Sequence, residues 1–344
     1  MEGGSGLLGP VAAGLGIGMA VGVMLERSRY CTMGALTDLF LFGSWRRLRV
    51  WLVAAAMAIA GTSAFSLLGI VDLDRSPVVD AARAWPAMGV GGLLFGIGMV
   101  LAGGCASRSL VRFATGSMKS LVVLLLMAIF AISVTQGPLS RLASPLLHPG
   151  LPEWAGSHPL VMTTLGAVGA IALGIACISR QRVRGERAGM WLGIGLGAAC
   201  LAGWLLTGPG FAGEAPRSLD FAAPTGFLLL SFIDGTLPPS PLLAGAAAGV
   251  LAGAAISAVA SGSFAIETFS DRGDMLRHAS GGVLMGIGGG LAFGCTVGQG
   301  ITGLSTLAPG SFLAVAAMVA GCRLGLLHLE GRIRWPARSR NPAD

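Results

Sequence analysis

Gly91 to Cys105 reads GGLLFGIGMVLAGGC, and Gly281 to Cys295 reads GGVLMGIGGGLAFGC. Ten of the fifteen positions are identical without a gap, at a shift of 190 residues. Glycine content alone does not make this match, because Leu94, Ile97, Leu101, Ala102 and Cys105 also find their copies. Each block is a long apolar run that ends in glycine and a cysteine. Polar, small residues follow: Ala106-Ser107-Arg108-Ser109 in one copy, Thr296-Val297-Gly298-Gln299 in the other. Glycine permits the backbone angles and close approach that a helix break needs.

The chain around these blocks is too apolar to dissolve. Of its 344 residues 53% are hydrophobic and 11% charged, against roughly 25% charged in ordinary globular domains. Its mean hydropathy is +0.77. Nine apolar runs, at about 7–24, 50–70, 87–104, 120–135, 160–179, 189–206, 241–260, 278–294 and 311–329, are candidate membrane crossings. The first has Glu2 and no basic residue ahead of it, so it reads as a retained helix rather than a signal peptide. The expected fold is all-α and membrane-integral.

Basic residues outnumber acidic ones 23 to 16, and all but Lys119 are arginine. They cluster between the apolar runs, at Arg46-Arg47-Leu48-Arg49, in the stretch 180–187 and in the tail from Arg332 to Arg340. That is positive-inside bias rather than a nucleic-acid surface, for no basic stripe carries interleaved aromatics. With the three clusters in the cytoplasm, nine crossings place the N-terminus in the periplasm and the C-terminus in the cytoplasm. The first repeat block then enters the membrane from outside and the second from inside. The expected organisation is a first half over 1–136, a linker with a crossing helix over 137–188, an inverted second half over 189–330 and a basic tail over 331–344. Inverted repeats of this kind carry their substrate path near the midplane, where broken helices meet. Four segments are too short to span, at about 31–43, 105–118, 225–235 and 295–308. Irregular backbone at such depth survives where it lines a cavity or is buried in protein, so these are expected to line the path.

A short helix starting after Cys105 or Cys295 would aim free N–H groups and a positive dipole end at whatever sits beside the thiol. That suits an anion. A buried neutral thiol does not repel a negative ion, and it offers a weak S–H donor and a polarizable surface. A phosphate would more naturally be gripped by arginine. A sulfur-bearing anion fits better, held loosely enough to leave. The expected substrate-contacting residues are Cys105 and Cys295 with Gly104, Gly294, Ser107, Thr296 and Gln299. Cys31, in Arg29-Tyr30-Cys31-Thr32-Met33-Gly34, adds a third thiol at the start of the first short segment. Its counterpart near Pro224-Thr225-Gly226 has none.

The remaining cysteines, Cys177, Cys200 and Cys322, lie inside continuous apolar runs and read as packing residues. No two of the six are closer than 23 residues, which excludes zinc-type pairing, and no cofactor or metal is expected. His148, His158, His278 and His328 show no metal spacing. The glycines at 286–290 lack the lysine and strand–turn–helix setting of a phosphate loop. Arg108 and Arg112 share a helical face and read as boundary residues. Arg29 is a candidate exit-side attractor, and Asp38 and Glu267 are candidates for proton coupling.

The motifs GGCASRSL, GCTVGQGITGLS and RSRYCTMGAL resemble the YeeE/YedE family of bacterial membrane proteins with sulfur-transport domains. The resemblance covers nearly the whole chain. It implies an inner-membrane thiosulfate importer with nine spanning and four short helices, surrounded by membrane lipid, whose three pathway thiols match Cys31, Cys105 and Cys295. It also implies a small TusA-like sulfur-carrier protein as cytoplasmic partner. The alternatives are a transporter of another sulfur or selenium species, or a membrane sulfurtransferase or thiol oxidoreductase using Cys105. The second needs an activating base, and no histidine sits in a cysteine motif.

Overall fold

The computed structural model describes residues 3–81, 84–147, 160–179, 186–208, 215–235 and 239–331. The 332–344 tail, the basic stretch 180–185, His148 and His158 lie outside the described residues. Among the described residues the chain is helical and forms no sheet. In chain order the helices are α1 (Gly3–Ser28), α2 (Thr32–Phe42), α3 (Arg46–Leu67), α4 (Pro77–Ala81), α5 (Trp85–Leu101), α6 (Ala106–Ala114) and α7 (Met118–Thr135). They continue with α8 (Ser140–Leu147), α9 (Leu160–Ser179), α10 (Glu186–Thr207), α11 (Ala223–Asp234), α12 (Pro241–Ala260), α13 (Arg272–Leu291) and α14 (Pro309–Leu329). A π-helical turn, Gly298–Gly303, precedes α14.

Seven helical segments among the described residues are long and apolar enough to cross a membrane. Helices α9 and α13, of 20 residues each, are the other two long elements, on the apolar runs at 160–179 and 278–294. α13 opens with Arg272, Asp274, Arg277 and His278, which lowers its apolar character at one end. Prolines in the first turn start α5, α11, α12 and α14, where the missing N–H costs nothing.

Glycine determines how the helices meet. In a bilayer apolar side chains gain little from leaving lipid, so association depends on close backbone approach. Helices α1 and α12 run parallel with Gly14, Gly18 and Gly22 against the carbonyls of Leu242, Ala246 and Val250. The two repeat blocks pack on each other as α5 and α13, antiparallel. Gly91 faces the backbone of Gly288 and Ala292, while Gly98 faces Gly281 and Met285. A Cβ on Gly91 would lie 2.5 Å from the Ala292 nitrogen, and one on Gly98 would lie 2.7 Å from the Met285 nitrogen. α14 runs along α5, with Gly92 and Gly96 on the carbonyls of Ala314 and Met318, and α7 runs along α13, with Gly282 and Gly286 on those of Val123 and Met127. The short segments α2, α6, α11 and the π turn sit where the four broken regions were expected.

Candidate functional site

Both repeat helices end in the same way. After α5, Gly103 takes a left-handed φ of 69° and the Gly104 N–H donates to the Met99 carbonyl at 2.9 Å. After α13, Phe293 takes φ 53° and the Gly294 N–H donates to the Gly289 carbonyl at 3.0 Å. This six-residue closure satisfies carbonyls that a stopped helix would leave unpaired. The left-handed position is thus Gly103 in one copy and Phe293 in the other. Gly104 and Gly294 follow it at ordinary angles, and a Cβ on either would make its nearest contact at 3.4 Å.

Beyond the breaks the copies diverge. Cys105, fully buried, is the extended residue from which α6 starts, and no side chain caps that start. Cys295, also fully buried, leads into the π turn rather than a regular helix. Glycines 298, 300 and 303 make the turn possible at a crowded place. A Cβ on them would meet Asp220, Trp51 and the Gln299 and Ser311 side chains at 2.4–3.0 Å. Such π turns recur at functional sites.

The thiols fall into two groups. The Cys31 Sγ, at the start of α2, lies 3.7 Å from the Cys105 Sγ, although 74 residues separate them. The Cys105 Sγ in turn lies 3.4 Å from the Ser107 hydroxyl. Tyr30 is buried beside this pair, and its hydroxyl has no partner. The Cys295 Sγ accepts the Gly298 N–H at 3.4 Å. Next to it, the buried Thr296 hydroxyl is unpartnered. Cys105 and Cys295 belong to one continuous buried core, against which Cys31 packs. Thr32 and Thr296, the residues following Cys31 and Cys295, line a single cavity of about 190 Å³ together with Trp51 and Gly300. The indole N–H of Trp51 is buried and unpartnered as well.

Gln299 has a structural duty. Its amide nitrogen donates to the Ala292 carbonyl at 2.7 Å, tying the π turn to the end of α13, while its oxygen has no partner. Cys200 shares hydrogen bonds with Ser218 and Thr302 at 3.3 and 3.5 Å. Cys177 and Cys322 are buried within α9 and α14. Asp38 pairs with Arg47 at 3.4 Å and Glu267 with Arg112 at 3.2 Å, each with an arginine at a helix boundary. The His278 Nδ1 lies 2.8 Å from the Asp274 carbonyl. Among the described residues no cluster of His, Cys, Asp or Glu could hold a metal ion.

Two carboxylates near this core escape a motif-based reading. Glu26 is 8% exposed and accepts hydroxyl hydrogen bonds from Ser257 at 2.7 Å and Ser263 at 2.9 Å. Its place beside Arg27 makes it look like part of a basic turn. Asp220 accepts the Cys295 backbone N–H at 3.0 Å and those of Ala222 and Ala223 at 3.3 Å. It lies 75 residues from Cys295 and outside the three cysteine motifs.

Comparison with known proteins gives the family. The model of the family described as Sulphur transport matches residues 27–324, from just before the Cys31 segment to within α14. The chain belongs to the sulphur transport family. A relative from Spirochaeta thermophila, "Thiosulfate transporter TsuA", is 27% identical over 325 residues, covering 90% of this chain and 96% of its own. The Escherichia coli protein of the same name is 25% identical over 340 residues, covering 90% of this chain and 92% of its own. A shorter match, 33% identical over 99 residues, joins 29% of this chain to 23% of the "Probable transporter YedE" of Salmonella typhimurium. The family is one of transporters, not enzymes.

Proposed function

We propose that this protein imports thiosulfate across the bacterial inner membrane, handing the anion along the Cys295, Cys105 and Cys31 thiols to supply sulfur for assimilation. One observation carries this reading most directly. Two thiols from separate broken helices stand 3.7 Å apart inside a membrane-embedded core, in a chain that also buries a third at a matching break. Thiosulfate has a soft terminal sulfur and three oxygens. The S–H groups of Cys31 and Cys105 suit the sulfur, and hydroxyl donors such as Ser107 and Thr296 suit the oxygens. Burying a divalent anion is costly unless donors replace its water. Weak donors in series supply that replacement and still allow release.

In this reading nine helices cross the membrane, with α9 and α13 joining the seven apolar ones, the N-terminus in the periplasm and the C-terminal tail in the cytoplasm. The antiparallel, reciprocal contact of α5 with α13 supports two inverted halves over 1–136 and 189–330, joined by 137–188. The anion enters from the periplasm at the Cys295 end and leaves past Cys31 towards a TusA-like carrier protein. Gly104 and Gly294 belong to the breaks that expose each thiol, and Gln299 holds the second break in shape. The names of the Spirochaeta thermophila and Escherichia coli relatives support thiosulfate as the substrate.

The test is uptake of radiolabelled thiosulfate into cells lacking their own importers, with unlabelled sulfate, sulfite and selenite as competitors. Uptake that excess thiosulfate suppresses and excess sulfate does not is the expected result. Uptake suppressed equally by sulfate would remove the role given to the thiols.

A further inference from the structure

The Cys295 N–H at the second break is already occupied by the protein's own carboxylate. Asp220 accepts from Cys295 at 3.0 Å and from the first turn of α11, at Ala222 and Ala223, at 3.3 Å. It leans so closely on the π turn that a Cβ on Gly298 would lie 2.4 Å from its Oδ1. At the corresponding place in the first copy no side chain caps α6 after Cys105. Asp220 also lines a cavity of about 280 Å³ that reaches Gly298 and Thr302 on the π turn. Among the described residues, Arg217 is the other charged one lining it. The surfaces that α4, α7, α11, α12 and α13 turn to it, at Val78, Gln136, Phe227, Ser240 and Phe293, carry no charge, and Cys295 is the titratable neighbour on the break itself. An anion approaching Cys295 through this cavity therefore meets a carboxylate holding the donors that the anion needs.

We propose that Asp220 gates the Cys295 end of the path and binds the proton that accompanies each anion. Charged, it fills the N–H positions and repels a negative ion. On taking a proton from water it loses both the charge and most of its grip on those N–H groups, and its own O–H becomes a donor to the incoming anion. The proton and the anion then bind together, and neither opens the site alone. Asp38 and Glu267 are less suited to this task, since each is paired with an arginine at a boundary. The proposal rests on the thiosulfate-import reading above.

Two measurements test it. Calorimetric titration of the purified protein with sodium thiosulfate, in two buffers of different ionisation enthalpy, should show about one proton taken up per anion bound, as linkage between the two requires. Initial uptake rates should rise as external pH falls, by up to about tenfold per unit while Asp220 is charged. In Asp220→Asn the rate should become independent of pH, and Asp220→Glu should restore the slope. Proton-free binding by the wild type, or an unchanged pH profile in Asp220→Asn, would overturn the gate and leave thiosulfate import standing. If Asp220→Asn fails to insert, the wild-type proton count decides by itself. A wild type that neither binds nor takes up thiosulfate at any pH would overturn the import reading and the gate with it.

Discussion

At the scale of single residues, three thiols, Cys105 and Cys295 buried and Cys31 half-buried, do different things. Cys31 and Cys105 form a contact pair, whereas Cys295 accepts a backbone N–H at its own break. Cys322, buried in α14, belongs to neither arrangement. Replacing it by alanine should therefore leave uptake within about twofold and cost on the order of 1 kcal/mol for the small cavity left, read as a shift in thermal unfolding in detergent. Gln299→Ala should behave differently. Its amide closes a hydrogen bond of 2.7 Å to Ala292, and an unsatisfied buried carbonyl costs about 1–3 kcal/mol. The same unfolding assay should show the larger loss there, and equal losses for the two variants would contradict the bracing role of Gln299. Cys105 and Cys295 stood out in the sequence because they end repeated blocks. Asp220 did not, because its partner lies 75 residues away and only folding joins them. Glu26 was hidden by its arginine neighbour. No periodicity reveals a carboxylate held by two serines more than two hundred residues downstream.

At the scale of elements, the decisive contact is that of α5 with α13, where the repeat blocks cross with glycine against backbone. The sequence showed the blocks and their glycines. It did not show that they touch, because glycine spacing fits both a break and a close approach. Gly98→Val tests the second use. Its added atoms would start 2.7 Å from the Met285 nitrogen, so the helices must separate. Overpacking of this kind typically costs about 1–3 kcal/mol. An unfolding temperature equal to wild type would show that the contact is looser than described. The breaks were legible as breaks, but their geometry was not. The second copy places Phe293 at the left-handed position, where a phenylalanine is uncommon, and continues into a π turn. What shapes that turn is tertiary: Asp220, Trp51 and Ser311 crowd its three glycines.

At the scale of the whole molecule, the membrane class followed from composition alone, since 11% charged residues cannot clothe a soluble fold of this size. Of the nine apolar runs, seven fall in helical segments that, among the described residues, are long and apolar enough to cross a membrane. α13 opens with charged residues, and Lys119 of α7 lies 2.7 Å from its Asp274. The orientation expected from the arginine clusters is a separate prediction. A fluorescent protein fused after residue 344 should glow in cells, and alkaline phosphatase fused within the 71–86 loop should be active. The reverse pattern would invert the path. Travel of the anion by way of the thiols is tested most directly by comparing radiolabelled thiosulfate uptake by the wild type and by Cys105→Ala, at matched levels of inserted protein. Uptake by the wild type and a loss to background in the variant is the expected result. Equal uptake by the two would contradict it.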